Sequence, residues 1–397
     1  MANYEFFQNI ACEYFPCHKG ADTDNFNCLF CYCPLYALGD SCGGNFTYTP
    51  DGIKDCSGCL RPHKRENYPV ITAQVEQVIA MAKHNRKPVK LIIDTDIGFD
   101  CDDAGALALV HRLCDGNEAE LLATTACYDS PYVAGCTDAI NRFYNRPVPV
   151  GNLYFPKNDG YEHPVYSPAL CSEYPNSYPS DGSNAPEDAI ALIRRILANS
   201  EDDSITFVIT GALSTAAQLL CSAPDSFSPL TGKELIAKKI HRTVVMGGRF
   251  YEGWPEDVVL DDNFVVTWEW NIKGDVPAAQ DVCKGWPGEL VFSSFEVGLP
   301  CISMGTFCAS VPEHHPVRRA YALRGFLEGR SSWDQTAVLE AIRPGVYFKT
   351  SAPGQVRVND DGVTSFTPDN QGKQYYLIPI LDSKEIANLI DNLLLSQ

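Results

Sequence analysis

The segment Leu91-Ile92-Ile93-Asp94-Thr95-Asp96-Ile97-Gly98-Phe99-Asp100-Cys101-Asp102-Asp103 constrains this chain more than any other. A short apolar run leads into five aspartates within ten positions. Leu91 to Ile93 reads as a buried strand and Ala104 to Leu113 as a helix. The aspartates then fall on the loop at a strand's carboxyl end, where open α/β sheets hold their ligands. Carboxylates this crowded repel one another unless a cation holds them. A hard divalent cation such as Ca²⁺ or Mg²⁺ suits the task, because it takes several oxygen ligands. An acidic, solvated loop is the bland alternative. The apolar strand and helix that clamp the loop on both sides argue against it.

From Val89 onward, apolar strand-like runs alternate with helical stretches. Expected strands are Val89–Ile93, Leu121–Ala126, Ile205–Ile209, Thr243–Met246 and Glu289–Phe292. Expected helices include Ala185–Ala198, Ser214–Cys221 and Ser383–Leu395. Such alternation predicts an α/β fold with a doubly wound, mostly parallel sheet. Residues 151–184, rich in Pro, Tyr, Ser and Asn, read as a long functional loop. Before Val89 the chain differs. Thr72 to Lys87 has a helical period that Pro88 ends, and eight of the 17 cysteines precede residue 64. The net charge of −19 is also uneven, with −1 in residues 1–88 and −18 beyond. Two domains are expected, 1–88 and 89–397. The acidic balance argues against nucleic acid as the main partner. No apolar run approaches membrane-spanning length. The first residues lack a basic region and an apolar core, so a cytoplasmic location is expected. Thiols stay reduced there, and clustered cysteines then point to metal rather than disulfides.

The aspartate loop resembles the signature of the inosine–uridine-preferring nucleoside hydrolases, Asp-x-Asp-x-Gly-x-Asp-Asp after a buried strand. Asp94, Asp96 and Gly98 match, and Asp102-Asp103 match the closing pair. Asp100-Cys101 reads as a two-residue insertion, so either Asp100 or Asp102 takes the first place of that pair. Further motifs agree in order. Val208-Ile209-Thr210-Gly211-Ala212-Leu213-Ser214-Thr215 is similar to the family's second motif, which implies calcium bound by the Thr210 carbonyl. Val244-Val245-Met246-Gly247-Gly248 resembles the strand and glycine turn that follow. Asn263, Glu269 and Asn271 match an Asn-x5-Glu-x-Asn set, which implies contacts to ribose hydroxyls. Trp333-Asp334 stands where a His-Asp pair is usual, which implies that Asp334 closes the calcium shell.

The chemistry is coherent for those residue types. Removing a base from ribose passes through an oxocarbenium-like state. Asp96 suits deprotonation of the attacking water, and it also faces the metal. Asp102 would accept a ribose hydroxyl, and Asp103 would bind the metal. The substrate expected is a small nucleoside or related riboside. Asp129, at a strand end, is a weaker sugar-binding candidate; a helix-capping loop aspartate is as good a reading. Tyr321 reads as an aromatic lid residue or as core. His163, in the long loop, is a candidate leaving-group acid, and a surface histidine is the plainer reading. Tryptophan at 333 cannot exchange a proton near neutral pH. Leaving-group activation is therefore expected to come through stacking by Trp333 or Trp268, through His163 or Tyr321, or through an aglycone that departs without a proton.

The head offers Cys12, Cys17, His18, Cys28, Cys31, Cys33, Cys42, Cys56, Cys59 and His63 as ligands. Paired C-x2-C turns suit zinc, and these ten groups suffice for two tetrahedral sites, with an iron–sulfur cluster as the alternative. The head is also similar to the bacterial cysteine-rich small domain, on Asn27-Cys28-Leu29-Phe30-Cys31-Tyr32-Cys33-Pro34 and Pro62-His63-Lys64-Arg65-Glu66-Asn67. Two other functions compete with a calcium-dependent N-ribohydrolase. One is a non-catalytic nucleoside or ribose sensor, kept open by the missing histidine. The other is a haloacid-dehalogenase-like phosphatase, which also begins with Asp-x-Asp after a strand but lacks the Asn263, Glu269, Asn271 set. A homo-oligomer is left open.

Overall fold

The computed structural model describes residues 3–85, 87–154, 164–250 and 268–396. The chain divides into two compact units, Met1–Lys87 and Pro88–Gln397. The second unit is built on one eleven-stranded sheet. Its strands are β1 (Val89–Thr95), β2 (Ala119–Ala126), β3 (Val150–Asn152), β4 (Glu187–Asp188), β5 (Ile205–Ile209) and β6 (Ile240–Met246). They continue with β7 (Leu290–Ser293), β8 (Phe348–Thr350), β9 (Gly354–Val358), β10 (Thr364–Pro368) and β11 (Gln374–Pro379). The order is β10-β9-β11-β7-β6-β5-β1-β2-β3-β4, with β8 on β11. From β11 to β4 every neighbouring pair is parallel. β8, β9 and β10 run antiparallel at one edge.

Both sheet faces are covered, as a parallel sheet requires. The strand alternation shows why. Leu91, Ile93, Val208, Val244 and Val291 enter one core, while Ile92, Phe207, Ile209, Val245, Leu290 and Phe292 enter the other. β1 is the pivot. The chain moves from it to β2, β3 and β4 on one side, then returns to place β5 on the other. That reversal is the topological switch point, and the β1 and β5 carboxyl ends open onto it.

Several local expectations shift. Helix α1 spans Asp102–Asp115, so the closing aspartates lie in its first turn rather than on the loop. Acidic residues there are favoured by the helix dipole. The helix expected from Ala185 starts at Ala189, because Glu187–Asp188 pair as β4 and the Asp188 carboxylate caps the helix through Ala191 N at 3.0 Å. The long loop 151–184 begins in β3 and carries the helix Ser167–Glu173. The antiparallel strands after residue 347 were not expected. Three more helices matter below: α2 (Trp270–Gly274), α3 (Pro316–Arg324) and α4 (Trp333–Ile342). No described helix is long and apolar enough to cross a membrane.

In the first unit a two-residue ladder pairs Thr47–Tyr48 with Lys54–Asp55. The helix Tyr68–Asn85 packs on the segment Pro34–Cys42. Its apolar cluster is small, built on Leu35, Leu38, Cys42 and Ile71.

One buried group sets a pH dependence. His111 of α1 is fully buried, with Nε2 2.9 Å from Asn141 Oδ1 and Nδ1 3.0 Å from an Arg146 guanidinium nitrogen. The guanidinium only donates, so Nδ1 accepts and the ring is neutral. Burial pushes His111 down to about 3. The unfolded ring takes a proton near pH 6.5 and the folded one does not, so its contribution is complete above that pH and falls as pH drops towards 3. Between pH 7.5 and pH 5 this costs about 2 kcal/mol. Thermal unfolding at both pH values should show that His111→Gln loses less stability on acidification than the parent chain. An equal loss in both proteins would rule out His111 as the source.

Candidate active site

The site grows from two strand ends. The Asp94 backbone carbonyl accepts Thr210 N at 2.7 Å, which ties the β1 exit to the β5 exit. Gly211 permits the approach: a Cβ there would meet Asp96 N at 2.8 Å. Gly98 has φ +132, and a side chain at that position would strike Ser167 and Tyr128. This turn swings the chain from Asp96 towards α1.

Asp102 and Asp103 from α1 meet Asp334 from the first turn of α4. All three are buried, and their ligand oxygens lie within 4.8 Å of one another. Thr95 donates its hydroxyl to Asp103, and Asp334 N donates to Asp102 Oδ2 at 3.3 Å. Asp96 lies in hydrogen-bond contact with Asp103. Burial first, and then the neighbouring carboxylates, push Asp102, Asp103 and Asp334 well above the usual carboxylate range. Burial likewise pushes Asp94, which accepts Thr125 Oγ1 at 2.5 Å, up to about 8. An all-oxygen set of buried carboxylates with the Thr210 carbonyl beside it fits a hard divalent cation such as calcium.

These groups line one cavity of about 560 Å³ together with Asp96, Glu269 and Asn271. Glu269 caps α2. Its Oε1 accepts Asn271 N at 2.8 Å, and its Oε2 accepts Ile272 N at 3.1 Å and Gly248 N at 3.2 Å. Burial raises it to about 7 against those bonds. Asn271 Nδ2 donates to the carbonyls of Thr210 and Met246, each at 3.1 Å. This amide therefore couples the β5 and β6 exits.

A second part of the lining is a chain of rings and guanidinium groups. Phe295 stacks on Trp333 at 5.5 Å. Arg330 lies 4.8 Å over Trp333 and 4.6 Å over Phe326. Arg324 lies 4.9 Å over Phe99 and 5.6 Å over Phe326.

The model of the inosine-uridine preferring nucleoside hydrolases matches residues 91–375. The chain belongs to this family. That of the cysteine-rich small domain matches residues 3–86. A solved plant nucleoside hydrolase is 19% identical over 78% of this chain and all of its own, with a TM-score of 0.56. The purine-preferring ribonucleoside hydrolase of Gardnerella vaginalis is 17% identical, covering 77% of this chain and 98% of its own, at 0.57. The inosine-uridine preferring hydrolase of Bacillus anthracis is 16% identical over the same shares, at 0.55. At these identities the likeness is one of fold. An uncharacterized protein of Methanocaldococcus jannaschii is 34% identical over 77 residues, which is 19% of this chain; the chain spans 59% of that relative's length.

Against this nucleoside hydrolase frame, the structure gathers Asp96, Asp102, Asp103, Thr210, Glu269, Asn271, Trp333 and Asp334 around one cavity. It also separates Asp100 from Asp102. Arg330 holds Asp100 with three contacts, 2.6 Å and 3.2 Å to Oδ2 and 3.2 Å to Oδ1, while Asp102 joins the buried cluster. Asp129 is exposed, 3.5 Å from the Asn152 amide, and does not line the cavity. Tyr321 is fully buried; its hydroxyl accepts Gln335 Nε2 at 3.1 Å, which makes it core rather than a lid. Trp333 gives its indole N–H to the Phe295 carbonyl at 3.0 Å. Both that proton and much of the ring are occupied, so the expected stacking on a base is not what the geometry offers. Trp268 packs edge-on against Trp270 at 4.8 Å, and it is Trp270 that lines the cavity. Asn263 and His163 lie outside the described residues.

Sequence reading missed Arg324, Arg330, Phe99 and Phe295. Their only linear signal is an Arg–aromatic spacing before Asp334. In the first unit, Cys17, His18 and His63 converge, and His18 and His63 line a cavity of about 520 Å³ together with Cys31, Cys33, Cys42, Cys56 and Cys59. Cys12 is exposed, and Cys28 Sγ accepts Asn9 N at 3.5 Å. All seventeen thiols are free.

Asp103→Ala removes a central carboxylate and should weaken calcium binding by about two orders of magnitude or more, as read by calorimetry and metal analysis. Calcium retained at the parent affinity would take Asp103 out of the shell.

Proposed function

We propose that this chain hydrolyses the N-glycosidic bond of a ribonucleoside or related N-riboside, with calcium at the carboxylate cluster. The observation that carries the reading is the convergence of Asp102, Asp103 and Asp334 at the switch point, with Glu269 and Asn271 in the same cavity. The names of neighbours agree, including an inosine-guanosine nucleoside hydrolase. Calcium bound there supplies the charge that holds the carboxylates together and a fixed point for vicinal hydroxyls. Asp96, Asp103, the Thr210 carbonyl and Asp334 are its assigned ligands. Asp102, Glu269 and Asn271 orient the ribose, the carboxylates and the Asn271 Oδ1 accepting hydrogen bonds from its hydroxyls, since the Asn271 Nδ2 hydrogens are spent on the Thr210 and Met246 carbonyls. Asn263 is assigned to the same task. Asp96 takes the proton from the attacking water as its oxygen bonds to the anomeric carbon. The C–N bond breaks and its electron pair leaves with the base. The departing base then takes up a proton by way of solvent and Asp96 gives its own up, so that free base and ribose result.

Reducing-sugar release should appear for at least one member of a ribonucleoside panel, vanish with a calcium chelator and return with added Ca²⁺. Binding without release across the panel would favour the non-catalytic sensor.

We assign the ring-and-guanidinium side of the cavity to the aglycone. Arg324 lines this side, its guanidinium held over Phe99 and Phe326. It can therefore meet negative charge that develops on a departing base, which a histidine would otherwise protonate. Removing one such preorganised donor costs about 10²–10³ in rate. Arg324→Gln should slow inosine hydrolysis by about 10²-fold and a nitrophenyl riboside, whose leaving group is a stable anion, by less than about tenfold. Trp333→Ala should slow both alike, because that ring builds the wall. Equal slowing of both substrates by Arg324→Gln would reduce Arg324 to a binding role. For the cysteine-rich unit we propose zinc as the bound metal, with an iron–sulfur cluster as the alternative.

A further inference from the structure

Ligand atoms of Cys17, His18 and His63 lie within 4.8 Å of one another. The two imidazole centroids are 4.6 Å apart. Each ring commits Nδ1 to a backbone carbonyl: His18 to Ser57 O at 2.7 Å, and His63 to Asn27 O at 3.0 Å. A carbonyl only accepts, so Nδ1 carries the hydrogen and Nε2 keeps its lone pair in both rings. Metal-binding histidines are held in this way, the carbonyl fixing tautomer and ring angle. A plain core role explains part of the picture, since His63 stacks on Phe26 at 4.4 Å and 7°. It does not explain a second imidazole beside the first, held in the same tautomer, with a thiol at hand. Thiols are at hand for the remaining corner: Cys31 borders the same cavity as His18 and His63, and Cys31, Cys28 and Cys12 all lie close enough to Cys17 for their charges to raise it.

The other thiols behave differently. Cys42 Sγ accepts Gly44 N at 3.4 Å and Lys54 Nζ at 3.1 Å, and Cys59 Sγ accepts Asn45 N at 3.4 Å. The backbone at Gly44 is pressed against both sulfurs: a Cβ there would lie 2.9 Å from Cys59 Sγ and 3.6 Å from Cys42 Sγ. Donors aimed at sulfur stabilise the thiolate, the form that binds metal. Cys33 and Cys56 line the same cavity.

We propose that the cysteine-rich unit holds two zinc ions at chemically different sites: a mixed site built on Cys17, His18 and His63 and completed by a neighbouring thiol, and an all-thiolate site among Cys33, Cys42, Cys56 and Cys59. The inference rests on the zinc reading of this unit. The mixed site is neutral overall, because two thiolates balance the ion and both imidazoles are uncharged. The all-thiolate site carries a charge of about −2, which Lys54 offsets at Cys42.

The full chain, purified with calcium in excess to keep zinc from the carboxylate cavity, can be read by X-ray absorption at the zinc edge. The two sites together predict about three sulfurs at about 2.3 Å and one nitrogen at about 2.0 Å per zinc. A shell of sulfur alone would overturn the mixed site while leaving zinc in place. Absence of zinc, or iron with acid-labile sulfide, would overturn the zinc reading itself. His18→Ala combined with His63→Ala should lower zinc from about two ions per chain to one and leave an all-sulfur shell. Two ions retained would refute the assignment. Cys33→Ser with Cys59→Ser should lower the sulfur count per zinc and leave nitrogen in the shell, and loss of the nitrogen with sulfur retained would refute the partition independently of how the histidine variant folds.

Discussion

The hydrolase unit depends on one electrostatic problem, the burial of Asp102, Asp103 and Asp334 within reach of one another and of Asp96. Removing charge from water is costly, and like charges add to the cost. Most of the surrounding design answers that problem. The Thr95 hydroxyl and the Asp334 backbone N–H donate into the cluster. The first turn of α1 directs its N-terminal dipole at Asp102 and Asp103. Arg330 takes the neighbouring Asp100 out of the crowd. What remains is an oxygen-lined socket, and a divalent cation is the natural completion.

The cavity above that socket has two chemistries. Glu269 and Asn271 are held by backbone groups of the β5 and β6 exits, so their orientation is inherited from the sheet. Neutral hydroxyls are well served by such a donor–acceptor mix. The aromatic and guanidinium side comes from elsewhere, from the α3–α4 connection, the Phe295 turn and Phe99. Loops of this kind vary more freely than strand ends. The proposed division between a sugar side and an aglycone side accords with that difference in origin.

The cysteine-rich unit faces the opposite problem. Its apolar cluster is too small to order so many turns by itself. Cross-links through the proposed zinc would restore the deficit, because binding free energy becomes folding free energy. The paired carbonyl contacts of His18 and His63 show how little of this depends on the C-x2-C turns alone.

The strand-to-aspartate transition was legible because both of its parts are local. An apolar run such as Leu91–Ile93 must be buried, and clustered aspartates must be neutralised. The helices Ser214–Cys221 and Ser383–Leu395 and the strand Ile205–Ile209 were equally legible, the helices from their period and the strand from a short, mostly apolar run that is buried throughout. The short antiparallel strands after residue 347 were not, because Lys349, Gln355 and Ser365 sit on an exposed, weakly patterned edge. Some choices belong to tertiary structure alone. Whether Asp100 or Asp102 enters the cluster is decided by Arg330, 230 positions away. That Tyr321 is core and Trp333 is a wall follows from Gln335 and Phe295, partners no linear spacing reveals. The residue types and their order declared the chemistry. Which of them share one cavity was fixed only by the return of the chain across β1, since contacts between distant segments carry no signal in a single sequence.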